Sequence, residues 1–259
     1  MNTLKRALVL INKKTIIITA LAVASTAICQ HFGISAQFPI TLIATAIVFP
    51  IVFSIGGAYK RRENALTKYS SIQAHGRSIF DASRDWLEDT DEEVQEKARL
   101  LLGDLLKNCR VLFSNPIEDM PQHEDKVYRS FSQLSEFIKT DLRGRGLPSG
   151  EASRCNQFLS KMVTAFEDIK HIYQYRTPRN LSAFSDFFVK VLPILYGPYF
   201  VAIAKDYSTG LVFVMPVLFT IILVSLDNIQ EQLENPFDQH GEDDIVINAE
   251  KFVERLGLR

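Results

Sequence analysis

Histidine, cysteine, serine and the acidic side chains are where catalytic or metal chemistry would have to reside, and their spacing in this sequence assigns them none. The five histidines form neither an H-E-x-x-H motif nor a spaced His/Cys set. Cys29, Cys109 and Cys155 lie far apart, support no disulfide framework and no zinc site, and suit a reducing interior. No P-loop, G-x-G-x-x-G or G-x-S-x-G occurs. Without a placed nucleophile, the chain is not expected to be an enzyme. Basic residues are interleaved with acidic ones in the polar part, so no nucleic-acid partner is expected.

The informative positions are those that lack charge. No Asp, Glu, Lys or Arg occurs from Thr15 to Tyr59, and Lys13 and Lys14 precede this tract while Lys60, Arg61 and Arg62 follow it. A helix needs roughly 20 apolar residues to cross a ~30 Å hydrocarbon layer, so the tract is long enough for two crossings. His31, Gly33, Ser35, Gln37 and Pro39 divide it into spans over residues 15–30 and 38–59. A cleaved signal peptide, with Ala22-Val23-Ala24 inside its apolar run, is the competing reading of the first span. A second hairpin is expected over 191–204 and 211–226, broken at Lys205 and Asp206. The third span lengthens if it reaches back through Phe187, Phe188 and Val189, where Asp186 and Lys190 form an acid-before-base pair at i,i+4. Arg176 and Arg179 repeat the basic flank, so both termini and the region between the hairpins are expected on the cytoplasmic side.

A hydrophobic content of 47%, a net charge of −1 and a pI near 6.5 average over two solvents and conceal this division. The expected fold class is all-α: an integral membrane protein with four transmembrane helices in two hairpins and an α-helical cytosolic domain between them. The corresponding boundaries are 1–62, 63–180, 181–228 and a cytosolic segment 229–259. The second span should continue as one helix through Ala65, Tyr69, Ile72 and Ile79 toward Trp86, since nothing between Lys60 and Gln73 breaks it. Thr90-Asp91-Glu92-Glu93 is a capping-box pattern opening a helix with Val94, Ala98, Leu101, Leu102, Leu105, Leu106, Cys109 and Leu112 on one face. Two further amphipathic helices carry Val127, Phe131, Leu134, Phe137, Ile138 and Leu142, then Cys155, Phe158, Leu159, Met162, Phe166, Ile169 and Ile172.

Two stretches match a known pattern. Phe53-Ser54-Ile55-Gly56-Gly57-Ala58-Tyr59-Lys60-Arg61-Arg62-Glu63 resembles the bestrophin-type channel signature, in which Phe and small polar residues precede Ala-Tyr-x-Arg, two tryptophans and Glu. Glu231-Gln232-Leu233-Glu234-Asn235-Pro236-Phe237 is similar to the Glu-Gln-Leu-x-Asn-Pro-Phe stretch that follows the last membrane helix of that family. Arg62 and Asn64 stand where aromatic residues are expected, and Asp238 replaces the glycine after Asn-Pro-Phe. The resemblance implies a homopentamer in the lipid bilayer, with a central pore lined by the second span. Most members pass chloride and other anions, and some bacterial ones pass cations.

By the same resemblance the pore neck falls at Thr45, Phe49 and Phe53. Residues at i, i+4 and i+8 share one helix face, so symmetric copies would stack three rings. Narrow phenylalanine rings exclude water, and wider ones present electropositive ring edges to an anion. The other reading of the phenylalanines is lipid contact or packing. Pro50 is expected to kink the same helix. The resemblance also implies a cytosolic constriction at Met162, against which stands a simple core methionine. It implies calcium ligands at Asp238, Glu242, Asp243 and Asp244, against which stands a solvated acidic turn; no other cofactor is expected. The rival function is a membrane-anchored helical interaction or sensor module without a pore.

Overall fold

The computed structural model describes residues 11–37, 39–88, 91–176, 178–206, 211–237 and 244–257. Its elements are α1 (Lys13–His31), α2 (Ile40–Asp85), α3 (Glu92–Ser114), a 3-10 turn (Ile117–Asp119), α4 (Met120–Phe137) with a π-helical continuation (Ile138–Leu142), α5 (Ser149–Gln174), α6 (Arg179–Leu195), α7 (Gly197–Asp206), α8 (Leu211–Glu234) and α9 (Ala249–Leu256). Among the described residues there is no strand. The chain divides into two compact units, one from 11–59 with 178–234, the other from 60–176 with 235–257. As its unbroken polar continuation requires, α2 runs on past Tyr59 to Asp85.

In the first unit α1, α2 and α8 are each long and apolar enough to cross a bilayer. The third expected span is two helices, α6 and α7, bent by 44° at Tyr196. Pro198 explains the break, because it has no N–H to give to the carbonyl of Ile194 four residues earlier. The hydroxyl of Ser25 on α1 takes over, donating to that carbonyl at 2.7 Å. Gly197 allows the approach, since a Cβ there would lie 2.7 Å from Ser25 Oγ and 3.1 Å from the Ser25 carbonyl carbon. Ile18, Ile47, Ile51, Val189, Leu192, Phe200, Leu223 and Val224 fill the core that this contact closes.

Gly197→Ala should therefore force α1 and α7 apart, an overpacking cost of about 1–3 kcal/mol, and lower the melting temperature in detergent. Ser25→Ala should also destabilise, by about 0.5–1.5 kcal/mol, because it removes a part-buried hydrogen bond that ties α1 to the bend. Wild-type melting of both variants would remove this contact as the support of the bend.

The second unit is built on amphipathic faces. Asp91 is the N-cap of α3, its carboxylate accepting from the Glu93 N–H, with Glu92 and Glu93 placed favourably in the first turn. The capping-box residue expected there, Thr90, lies outside the described residues. Val94, Ala98, Leu102, Leu105, Leu106, Cys109 and Leu112 are all buried, as the 3.6-residue period requires. Phe131, Leu134 and Phe137 of α4 and Cys155, Leu159, Phe166 and Ile169 of α5 join them. Phe237, last residue of the Asn-Pro-Phe turn, stacks on Phe113 with ring centroids 5.0 Å apart. Burying such a side chain stabilises by about 1.5–3 kcal/mol, so this turn is an anchor. On the outer face Lys170 of α5 joins Glu124 at 2.8 Å and Glu167 at 2.6 Å, and Tyr128 donates to Glu167. Partial burial alone would lower the Lys170 pKa, but these partners outweigh it and raise it above the usual lysine range.

Candidate functional site

Between Ile40 and Tyr59, α2 carries no charged residue, so the division of its faces rests on packing alone. Ile47, Ile51, Ser54 and Ala58 are buried, at spacings of four, three and four that keep them on one side. Thr45, Phe49, Phe53 and Gly56 lie exposed on another side. Phe49 is 61% exposed and Phe53 63%, with ring centroids 4.5 Å apart and planes at 70°. This edge-to-face pairing aligns two large rings along the helix while leaving ring edges free. A Cβ at Gly56 would meet no atom within 4 Å, so the strip stays clear beyond the second ring. The helix is continuous through Pro50, where a kink is expected. Such a strip can contact lipid or a partner helix, and repeated about an axis it can exclude water.

Met162 has a different setting. It is 1% exposed, inside the core of the second unit, and a Cβ at Gly76 would come 3.5 Å from its Cε and 3.2 Å from Leu102 Cδ2. In this chain its thioether packs among the interior side chains of the unit, the setting of a core methionine. Of the acidic run, Asp238, Glu242 and Asp243 lie outside the described residues. Asp244 is half-buried beside Ile245, whose N–H donates to the Pro236 carbonyl at 2.7 Å.

A charged centre that sequence reasoning missed lies in the first unit. The ammonium of Lys14 on α1 sits 2.6 Å from Asp227 and 2.8 Å from Glu231 on α8, and 3.2 Å from Asp186 on α6. Lys190 reaches Asp186 at 2.5 Å, forming the i,i+4 pair expected from the sequence. Asp227 is only 3% exposed. Asn12 donates to Asn228 at 3.1 Å, and Asn228 donates to the Thr15 hydroxyl at 3.4 Å. Three carboxylates whose oxygens lie within 4.8 Å of one another would suit a cation, and here the cation is the lysine. The available signal was Asp227 and Glu231 at i,i+4 after an apolar run, but nothing local pairs them with Lys14, 213 and 217 residues away.

Cys109 and Cys155 are poorly placed to act as nucleophiles. Burial pushes the Cys109 thiol up to about 12 and that of Cys155 to about 11, leaving little thiolate near neutrality.

No protein-family profile and no curated protein matches this sequence. Solved structures do match. A bacterial bestrophin homologue from Klebsiella pneumoniae, crystallised with a single substitution, superposes with a TM-score of 0.78 at 18% identity, covering 94% of this chain and 95% of that one. Another crystal structure of a bestrophin homologue from Klebsiella pneumoniae, phased on zinc, gives 0.75 at 15% identity, covering 98% and 97%. A structure described only as a membrane protein gives 0.77 at 16% identity, covering 95% and 98%.

Proposed function

We propose, from its bestrophin-like fold and divergent sequence, that this chain is the subunit of an oligomeric ion channel in a membrane, a homopentamer selective for chloride and similar anions. The observation that carries this reading is the pair of exposed, mutually aligned phenylalanines on a charge-free helix whose other side is packed. Five copies of α2 about an axis would stack Phe49 and Phe53 as two apolar rings below a ring of Thr45. Rings of this kind set a dewetting barrier when narrow and turn electropositive edges toward an anion when wider. A membrane anchor would have no use for an aligned pair of rings facing an axis.

The test is flux through protein reconstituted in liposomes under separate chloride and sodium gradients, with particle mass measured in detergent. Chloride flux from a particle of pentameric mass supports the channel. A monomer without flux sinks it and favours the anchored interaction module.

Topology gives an independent check. The basic flanks Lys13, Lys14, Lys60, Arg61, Arg62 and Arg176 belong on the cytoplasmic side. A cysteine introduced at Ser35 should label from outside with an impermeant maleimide, and one introduced at exposed Ser132 should not. The wild-type protein should stay unlabelled because all three native cysteines are buried. The reverse pattern would invert the topology.

A further inference from the structure

In the second unit, the polar continuation of α2 and the C-terminal helix α9 enclose an open cavity of about 530 Å3. Arg77 enters it from α2, and Lys251 and Arg255 enter it from one face of α9, where their i,i+4 spacing stacks them. Its inner wall is aromatic, formed by buried Tyr69 and Phe252, and Gln73 donates to the Tyr69 hydroxyl at 3.0 Å. Among the described residues no carboxylate lines it.

Among the described residues none of these three cations is in an ion pair, although about half of the lysines and arginines of this unit are. Lys68 pairs with Asp168 at 2.8 Å, Lys97 with Asp141 at 2.7 Å, and Lys170 with two glutamates. Glu250, an acid on the same short helix, is held by both terminal nitrogens of Arg110 at 2.8 and 2.9 Å. Three exposed like charges lining one concavity repel one another, and an anion held between them adds attractions that outweigh that repulsion.

We propose that this cavity is a binding site for a phosphate-bearing anion. Two guanidinium forks and an ammonium match tetrahedral phosphate oxygens, which accept paired hydrogen bonds from arginine. The volume falls in the range of small-molecule sites, about 300–1,000 Å3, and far exceeds what a halide needs. The aromatic wall gives an organic portion an apolar surface. The phosphate belongs either to a free phosphate ester or to a lipid headgroup, and both present the same dianion to Arg77, Lys251 and Arg255.

The test is calorimetric titration of the full chain in detergent with inorganic pyrophosphate and, separately, with a short-chain phosphatidylinositol phosphate. The triple variant R77Q/K251Q/R255Q should weaken binding by about tenfold or more, because charge-assisted contacts to phosphate are the strong ones. A control of equal net charge, K126Q/K139Q/K161Q, removes exposed cations elsewhere in the unit and should bind as the wild type does. Pyrophosphate binding assigns a free phosphate as ligand, and binding of the lipid alone assigns a headgroup. Binding of neither probe, or equal loss in both triple variants, overturns the site. The readout is independent of ion flux, so it stands or falls apart from the channel.

Discussion

Replacing Phe49 and Phe53 together by alanine should raise ion flux through the reconstituted protein, by about tenfold if widening the neck removes ~1.4 kcal/mol of barrier. Both rings lie on one exposed face of α2 and touch each other edge-on, while the packed side of the helix is made by Ile47, Ile51 and Ala58. The substitution therefore removes two apolar rings from every subunit without opening a cavity in the core. Side chains more than half exposed contribute little burial, so the melting temperature should hold within the small range usual for surface changes, roughly 0.5 kcal/mol. A correctly assembled double variant with wild-type flux would remove the neck from this face. Loss of the assembled oligomer would instead show that the phenylalanines bind a neighbouring subunit. The single variants should fall between, since one remaining ring still excludes water.

The largest stability effect is expected at Lys14. Asp227 is 3% exposed and has its ammonium partner at 2.6 Å, so Lys14→Met leaves a buried carboxylate without a counter-charge. Breaking a buried pair from one side costs about 3–5 kcal/mol, a large part of the stability of a typical domain. Lys14→Met should melt far below the wild type in detergent. The double variant K14M/D227N should recover most of the loss, because the desolvated charge is then gone as well. Asp186 and Glu231 are far more exposed and can turn to water, so neutralising either should cost much less. If K14M melts like the wild type, this ion-pair centre does not hold α1, α6 and α8 together.

Whatever depends on neighbours along the chain is legible in the residue order. A tract without charge from Thr15 to Tyr59 marks membrane-spanning helix because transfer into hydrocarbon is decided residue by residue over one segment. The buried faces of α3, α4 and α5 were legible because residues three and four apart must share a helix face. The same rule gave the Asp186 and Lys190 pair. The two motifs at Phe53 and Asn235 pointed to the fold that solved bestrophin homologues share with this chain.

Whatever depends on which helix lies beside which emerges only from the packed fold. It brought Lys14 to Asp227 across 213 positions, and it supplied Ser25 to the carbonyl that Pro198 leaves free, turning the third span into a bent pair. It placed Met162 in a core beside Gly76 and set Arg77 opposite Lys251 and Arg255. The physical reason is range: helical hydrogen bonds and side-chain neighbours reach no further than about four residues, whereas interhelical register is fixed by close packing over the whole unit.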